Sequence, residues 1–231
     1  MRMLFVIPSL GMGEAERVLS LLANYFSSKL EVHILTICKS EIFYDLRDDI
    51  TVHMLDLCGK SNGRLNKVKQ FDVLIDIYSN LDAKKFKLYI IGDGEERENL
   101  KNIIKGKKLE NSVRLIGRVK DIERYYARAK IFALTSRFEA FSNVLIEAMS
   151  CGCAVISFDC PYGPAEIISD NIDGLLVRNQ DKEEFLIKLS ELVKNDNLIK
   201  RLSENAIEKA KKYSFNEIVK MWEKEINRII R

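Results

Sequence analysis

A chain of 231 residues with 47% apolar side chains can build a real core, as one large domain or two small ones. Its 37 basic and 34 acidic residues nearly cancel, so charge gives no mandate for nucleic acid, and no RNA- or DNA-binding signature is present. Five cysteines without a Cys-x-x-Cys pair, together with two histidines, make a poor metal set and point to a reduced, cytoplasmic protein. The first ten residues are apolar but lack a basic leader and a cleavage site, so neither a signal peptide nor a transmembrane helix is expected.

Met3 to Ile7 reads as a short strand stopped by Pro8. Gly11 and Gly13 then lead into Glu14 to Ser28, whose apolar residues recur at helical spacing. Glu31 to Ile37 and Ile50 to Leu57 read as strands joined through Phe43 to Asp48, which makes half of a nucleotide-binding βαβ sheet. Cys58 to Asn62 is a turn-rich linker. Beyond it come a helix over Phe71 to Leu81, a buried strand over Lys87 to Ile91, and the turn Gly92-Asp93-Gly94. The next helix contains Leu100 to Ile104, followed by a strand at Val113 to Ile116, a helix at Ile122 to Ala129 and a strand at Ile131 to Leu134. Cys153 to Ser157 closes the series. Strands alternating with helices at this pitch predict an α/β fold with a doubly wound parallel sheet and right-handed crossovers. From Lys182 onward the chain is helical in three amphipathic runs, Lys182 to Lys194, Leu198 to Lys211 and Phe215 to Ile230, with Asp196 and Asn216 as cap candidates. Lysine clusters such as Lys84, Lys85, Lys87 and Lys101, Lys105, Lys107, Lys108 read as solvated faces.

The most informative stretch runs from Ser136 to Met149, where Glu139 falls in a strand-to-helix loop and Glu147 inside the helix that follows. Ligands of open α/β sheets bind beyond the carboxyl ends of the strands, so both carboxylates should face one crevice. The plain alternative is a solvated loop acid and a helix surface acid, against which stand the apolar neighbours Ile146 and Ala148. For Gly92 to Gly94 the alternative is turn chemistry alone, and for Arg64 and Lys69 a water-exposed loop pair. His33 and His53 lie in strands and read as structural.

Taken in order, Gly11 to Arg17, Gly63-Arg64-Leu65 with Lys69 and Phe71-Asp72, Gly92-Asp93-Gly94, the glutamates Glu139 and Glu147, and Cys160 to Ile168 resemble the retaining glycosyltransferases of family four. The resemblance spans nearly all of residues 63 to 231 and residues 1 to 57. It implies the GT-B architecture: a Rossmann-like donor domain at residues 61–214, a shortened Rossmann-like acceptor-side segment at 1–60, and a final helix at 215–231 that packs back toward that segment and carries Trp222. It further implies that Arg64 and Lys69 hold the diphosphate of a nucleotide-sugar donor, that Glu147 takes the ribose hydroxyls and that Glu139 takes the hydroxyls of the transferred sugar. The amides of Phe141, Ser142 and Asn143 at the helix start, with Gly11, Gly13, Gly92 and Gly94, would approach the phosphates. Two cations beside a leaving diphosphate stabilise its developing charge without a metal or any other cofactor. Glu166, following Pro164, reads as the start of a helix and not as a catalytic group.

The implied partners are a nucleotide-sugar donor, with uridine as the base, and a saccharide or lipid-linked acceptor used in cell-envelope polysaccharide synthesis. The setting would be cytoplasmic, at the inner face of the membrane, with room for peripheral membrane contact and for a partner chain. Two departures stand out. Glu14 sits where the family tends to have a glycine beside the diphosphate, and the chain passes from its third strand to the donor domain within a few residues. The expectation is therefore that Ile50 to Leu57 serves as the first strand of the later sheet, since an unpaired edge is costly. The rival to an active enzyme is a donor-binding module without turnover; a third reading, an epimerase, lacks a histidine at an acid/base position.

Overall fold

The structure is a computed structural model that describes residues 2–7, 10, 14–36, 41–54, 65–82, 86–119, 121–139, 141–161 and 163–230, except the side chains of residues 14, 229 and 230. Gly11, Gly13, the linker Cys58 to Asn62, Gly63, Arg64 and Tyr162 lie outside the described residues. The chain forms two compact units, Met1–Ser61 and Asn62–Arg231.

In the first unit, β1 (Arg2–Ile7), β2 (Glu31–Thr36) and β3 (Thr51–Met54) make a parallel sheet in the order β1-β2-β3, and α1 (Glu14–Ser27) is the first crossover. Alternation decides the faces: Val32, Ile34 and Thr36 of β2 are buried together with Leu22, Ala23 and Phe26 of α1, whereas Leu4 and Val6 of β1 are exposed. The Asn24 side chain ties down the long connection to β3, donating to Asp45 O at 2.8 Å and accepting from Arg47 N at 2.9 Å.

One expectation is overturned in this unit. The segment read as the first strand of the later sheet is β3, and it pairs in parallel with β2, from His33↔Thr51 to Thr36↔Met54. The physical reason is separation along the chain: β3 follows β2 through one connection, whereas the first strand of the second unit begins only at Leu88, and loop closure costs more entropy as the connecting chain lengthens.

The second unit is α/β with parallel strands throughout. β4 (Leu88–Ile91) pairs with β5 (Val113–Gly117), while β6 (Ile131–Leu134), β7 (Ala154–Asp159) and β8 (Leu175–Arg178) form a separate ladder in that order. The helices are α2 (Phe71–Ser79), α3 (Arg97–Gly106), α4 (Glu123–Tyr126), α5 (Asn143–Ser150), α6 (Pro164–Ile167), α7 (Lys182–Lys194), α8 (Asp196–Lys211) and α9 (Phe215–Ile230). Central strand β7 is buried from Ala154 to Phe158 because helices cover both of its faces. Ala154, Ile156 and Phe158 point toward Val73 and Ile77 of α2 and Phe185, Leu189 and Leu192 of α7. Val155 points the other way, toward Leu145 and Met149 of α5 and Ala206 of α8. A third cluster, Leu65, Ile75, Ile90, Leu100 and Val113, seats the segment before α2 on β4 and α3.

Three local expectations shift. β8, four residues long, was not anticipated; α4 is a single turn and not a helix from 122 to 129; and α8 is capped by Asn195, whose side chain accepts from Leu198 N at 2.9 Å, so that Asp196 is its first residue. Asn195 wins because the cap must stand one residue before the first helical turn to reach the orphan amides.

Candidate functional site

The site grows from the carboxyl ends of β4 and β6. Residues 65 to 70 run past both ends: Leu65 N donates to Asp93 O at 3.1 Å just beyond β4, and Arg137 N donates to Val68 O at 2.7 Å just beyond β6. Lys69 closes a single 3-10 turn, Lys67–Lys69, whose cap Asn66 accepts from Lys69 N at 3.3 Å. From β6, the buried Thr135 hydroxyl reaches Lys69 O at 3.3 Å and Gln70 O at 3.1 Å. The backbone around Lys69 is therefore fixed from several directions, and its ammonium meets Glu139 Oε1 at 2.8 Å.

Glu139 is buried, with only 8% of its side chain exposed. So are Thr135, Ser136 and Ser142 of the same loop, an inward turn of polar groups that ordinary surface loops do not make. A buried carboxylate is tolerated because Lys69 supplies a charge-assisted hydrogen bond. The hydroxyls of Ser136 and Ser142 are buried and have no hydrogen-bond partner among the described residues. Ser142 is the N-cap residue of α5, yet its side chain makes no capping bond, so a buried hydroxyl and the start of a helix together face the loop.

Glu147 lies on α5, four residues beyond its start and about 6 Å along the axis, given a rise of about 1.5 Å per residue. It is half-buried and accepts from the Tyr126 hydroxyl at 3.4 Å. The structure thus brings Lys69 and Glu139 into direct contact and sets Glu147 further along the same helix-loop unit. Arg64, Gly11 and Gly13 fall outside the described residues.

The glycines of the β4 turn have distinct tasks. Gly92, at φ 139°, donates its N–H to Gly117 O at 2.8 Å and joins the ends of β4 and β5. Gly94 has no room for a side chain: a Cβ there would lie 2.6 Å from Leu65 O and 2.8 Å from Leu65 N. The close approach of the segment carrying Lys69 therefore requires glycine at this position, a demand that turn chemistry alone would not make.

Further residues, to which the sequence reading assigned no individual role, adjoin the site, two of them in the Cys160-to-Ile168 motif. Gly163, at φ 121°, packs so that a Cβ would stand 3.4 Å from Ser142 N and 3.6 Å from Glu139 Cβ. Cys160 is buried beside it, and burial, reinforced by the nearby Glu139 charge, pushes its thiol up to about 11. Tyr213 stands edge-on to the exposed Phe141 at 6.1 Å and donates to Glu166 O at 3.2 Å; burial raises its phenol above the usual range. The one available hint was the Cys160-to-Ile168 stretch itself, whose glycine and proline mark a fixed backbone. No group of three or more His, Cys, Asp or Glu side chains able to hold a metal occurs among the described residues.

A parallel α/β unit with polar groups gathered at the carboxyl ends of its strands has the architecture of the Rossmann-like class, whose ligands bind beyond those strand ends. Comparison with known proteins narrows this: the model of the family "Glycosyl transferases group 1" matches residues 61–209, and the chain belongs to that family. The chain is 39% identical over 165 residues to the amylovoran biosynthesis glycosyltransferase AmsD of Erwinia amylovora, covering 71% of this chain and 46% of that one. It is 37% identical over 153 residues to an N-acetylgalactosaminyltransferase of Campylobacter jejuni that acts on a diphospho-undecaprenol-linked sugar, covering 66% and 42%. The chain spans less than half the length of these two relatives. Among solved structures it resembles TarM, with a TM-score of 0.65, 23% identity and coverage of 95% and 49%. It also resembles Anabaena HepE in complex with UDP, with a TM-score of 0.66, 17% identity and coverage of 98% and 71%. Both likenesses bear on the fold, which is that of the GT-B glycosyltransferases.

Proposed function

We propose that the chain transfers a sugar, with retention, from a uridine diphosphate sugar to a saccharide or lipid-linked acceptor during cell-envelope polysaccharide synthesis at the inner face of the membrane. The observation that carries the reading is the 2.8 Å contact of Lys69 with the buried Glu139, in a chain of this family. Support for the acceptor class comes from relatives named for amylovoran synthesis and for an undecaprenol-linked acceptor, and for uridine from the UDP in the HepE structure.

In this reading the unit that begins at Asn62 grips the donor. The Lys69 ammonium and Arg64 stabilise the negative charge that grows on the diphosphate as the glycosidic bond breaks, so no metal is required. The Asn143 amide already donates to Phe141 O at 3.0 Å, so the phosphates would draw on the amides of Phe141 and Ser142 and on the helix dipole, and Ser142, which leaves its cap bond unmade, suits an anion there. Glu147 accepts from the ribose hydroxyls and Glu139 from those of the transferred sugar. The bond from the anomeric carbon to the phosphate oxygen breaks, the acceptor oxygen forms its bond on the same face, and its proton passes to the departing phosphate oxygen. No protein nucleophile takes part.

A second reading is a donor-binding module without turnover, completed by a partner chain. It is favoured by β3 staying in the first sheet. Thermal-shift screening of nucleotide sugars, followed by nucleotide release with and without a lipid or saccharide acceptor, separates the two. A donor that raises the unfolding temperature without acceptor-dependent release selects the module, and no stabilising nucleotide sugar at all defeats both.

A further inference from the structure

The helices α2 and α7 begin side by side, and the residue just before α2, Gln70, is joined to Gln180, the second residue ahead of α7, by a reciprocal pair of carboxamide hydrogen bonds. Gln70 Nε2 donates to Gln180 Oε1 at 2.9 Å, and Gln180 Nε2 donates to Gln70 Oε1 at 2.8 Å, across a sequence separation of 110. Both residues adopt the left-handed conformation, at φ 48° and φ 66°. That conformation costs an ordinary side chain on the order of 1 kcal/mol, so each must be held there by its surroundings.

We propose that Gln70 and Gln180 are positioning residues for Lys69: the carboxamide pair locks the peptide between residues 69 and 70 and so fixes where the Lys69 ammonium points. The inference rests on the donor-site reading of Lys69. Gln70 follows Lys69 directly, and its carbonyl does two jobs, accepting from the Thr135 hydroxyl at 3.1 Å and from Leu74 N at 3.1 Å in the first turn of α2. The single proton of that hydroxyl is shared with Lys69 O, which lies 3.3 Å away. With both carbonyls reached by Thr135, just beyond β6, and the side chain of residue 70 bound to the turn before α7, the backbone that carries the Lys69 side chain is fastened at two points. If the amide pair is removed, these backbone bonds remain, but residue 70 loses the side-chain clasp that helps hold it in the left-handed region, and the peptide it shares with Lys69 gains freedom to shift. Asp181, next to Gln180, caps α7 by accepting from Glu184 N at 2.9 Å, which anchors the far half of the pair to a rigid helix start.

The test compares uridine diphosphate with uridine monophosphate by calorimetry on the full chain, because Lys69 acts on the diphosphate beyond the first phosphate. Gln180→Ala should weaken the diphosphate by about three- to tenfold, the scale of one lost hydrogen-bonded restraint, while the monophosphate changes by less than about twofold. Gln180→Glu keeps an acceptor for Gln70 Nε2 and should restore most of the preference. Thermal midpoints should fall by no more than about 4 °C in either variant. A diphosphate preference unchanged in Gln180→Ala overturns the inference, as does an equal loss for both nucleotides. Wild-type protein that does not prefer the diphosphate overturns the donor-site reading and the inference with it.

Discussion

Replacing Gly94 by alanine tests how the site is assembled. The new methyl carbon would sit 2.6 Å from Leu65 O, 2.8 Å from Leu65 N and 3.0 Å from Leu65 C. All three are backbone atoms, so no flexible side chain can swing away, and residue 65 must retreat by on the order of 1 Å to restore ordinary contact. Leu65 N donates to Asp93 O at 3.1 Å and Leu65 O accepts from Glu96 N at 3.0 Å, so both bonds are lost in that retreat. Leu65 is also fully buried among Ile75, Ile90 and Leu100. Two backbone hydrogen bonds and a strained core contact together cost about 3 to 5 kcal/mol. Urea denaturation should show the midpoint falling at unchanged slope, with donor affinity falling too because Lys69 rides on the displaced segment. Gly106→Ala is the control, since nothing lies within 4 Å of its added carbon, and it should change stability by less than about 1 kcal/mol. If the two variants prove equally stable, Gly94 is a turn residue only and the close approach of Leu65 has no energetic weight.

Glu147→Ala should weaken donor binding by about 1 to 3 kcal/mol through lost hydrogen bonds to a charged acceptor, whereas Glu139→Ala should leave nucleotide affinity nearly intact and blur discrimination among sugars; calorimetry showing the reverse pattern refutes this division of labour. Lys69→Met leaves the buried Glu139 without its 2.8 Å partner and should destabilise the fold by about 1 to 3 kcal/mol, with part of the loss recovered in Lys69→Met/Glu139→Gln; an undiminished denaturation midpoint in the single variant speaks against the pair. Burial pushes the Cys153 thiol up to about 12 and the Cys160 thiol up to about 11, so their reactive thiolates become abundant only as the pH rises toward those values. Alkylation at pH 8 followed by mass spectrometry should therefore modify the half-exposed Cys151 well before either, with the protection vanishing in denaturant.

What the sequence by itself determined is what local periodicity encodes. Helices α7 and α9 fall where apolar residues recur at helical spacing, and Glu139 and Glu147 fall in a loop and a helix because the apolar strand before them ends at Leu134. Its motif order also carried the family, which the match over residues 61–209 establishes. The tertiary structure decided whatever depends on a partner far along the chain. Strand β8 has only three apolar residues, Leu175 to Val177, ahead of Arg178 and becomes a strand by pairing with β7, and β3 belongs to the first sheet because it pairs with β2, the strand next to it along the chain. The same holds inside the site, where Lys69 finds Glu139 across 70 residues, Gln70 finds Gln180 across 110, and Gly94 is fixed as glycine by the backbone of Leu65. Spacing along a chain sets which face a side chain presents; which surface it then meets depends on how the elements pack, and that packing is settled by the burial of the whole core.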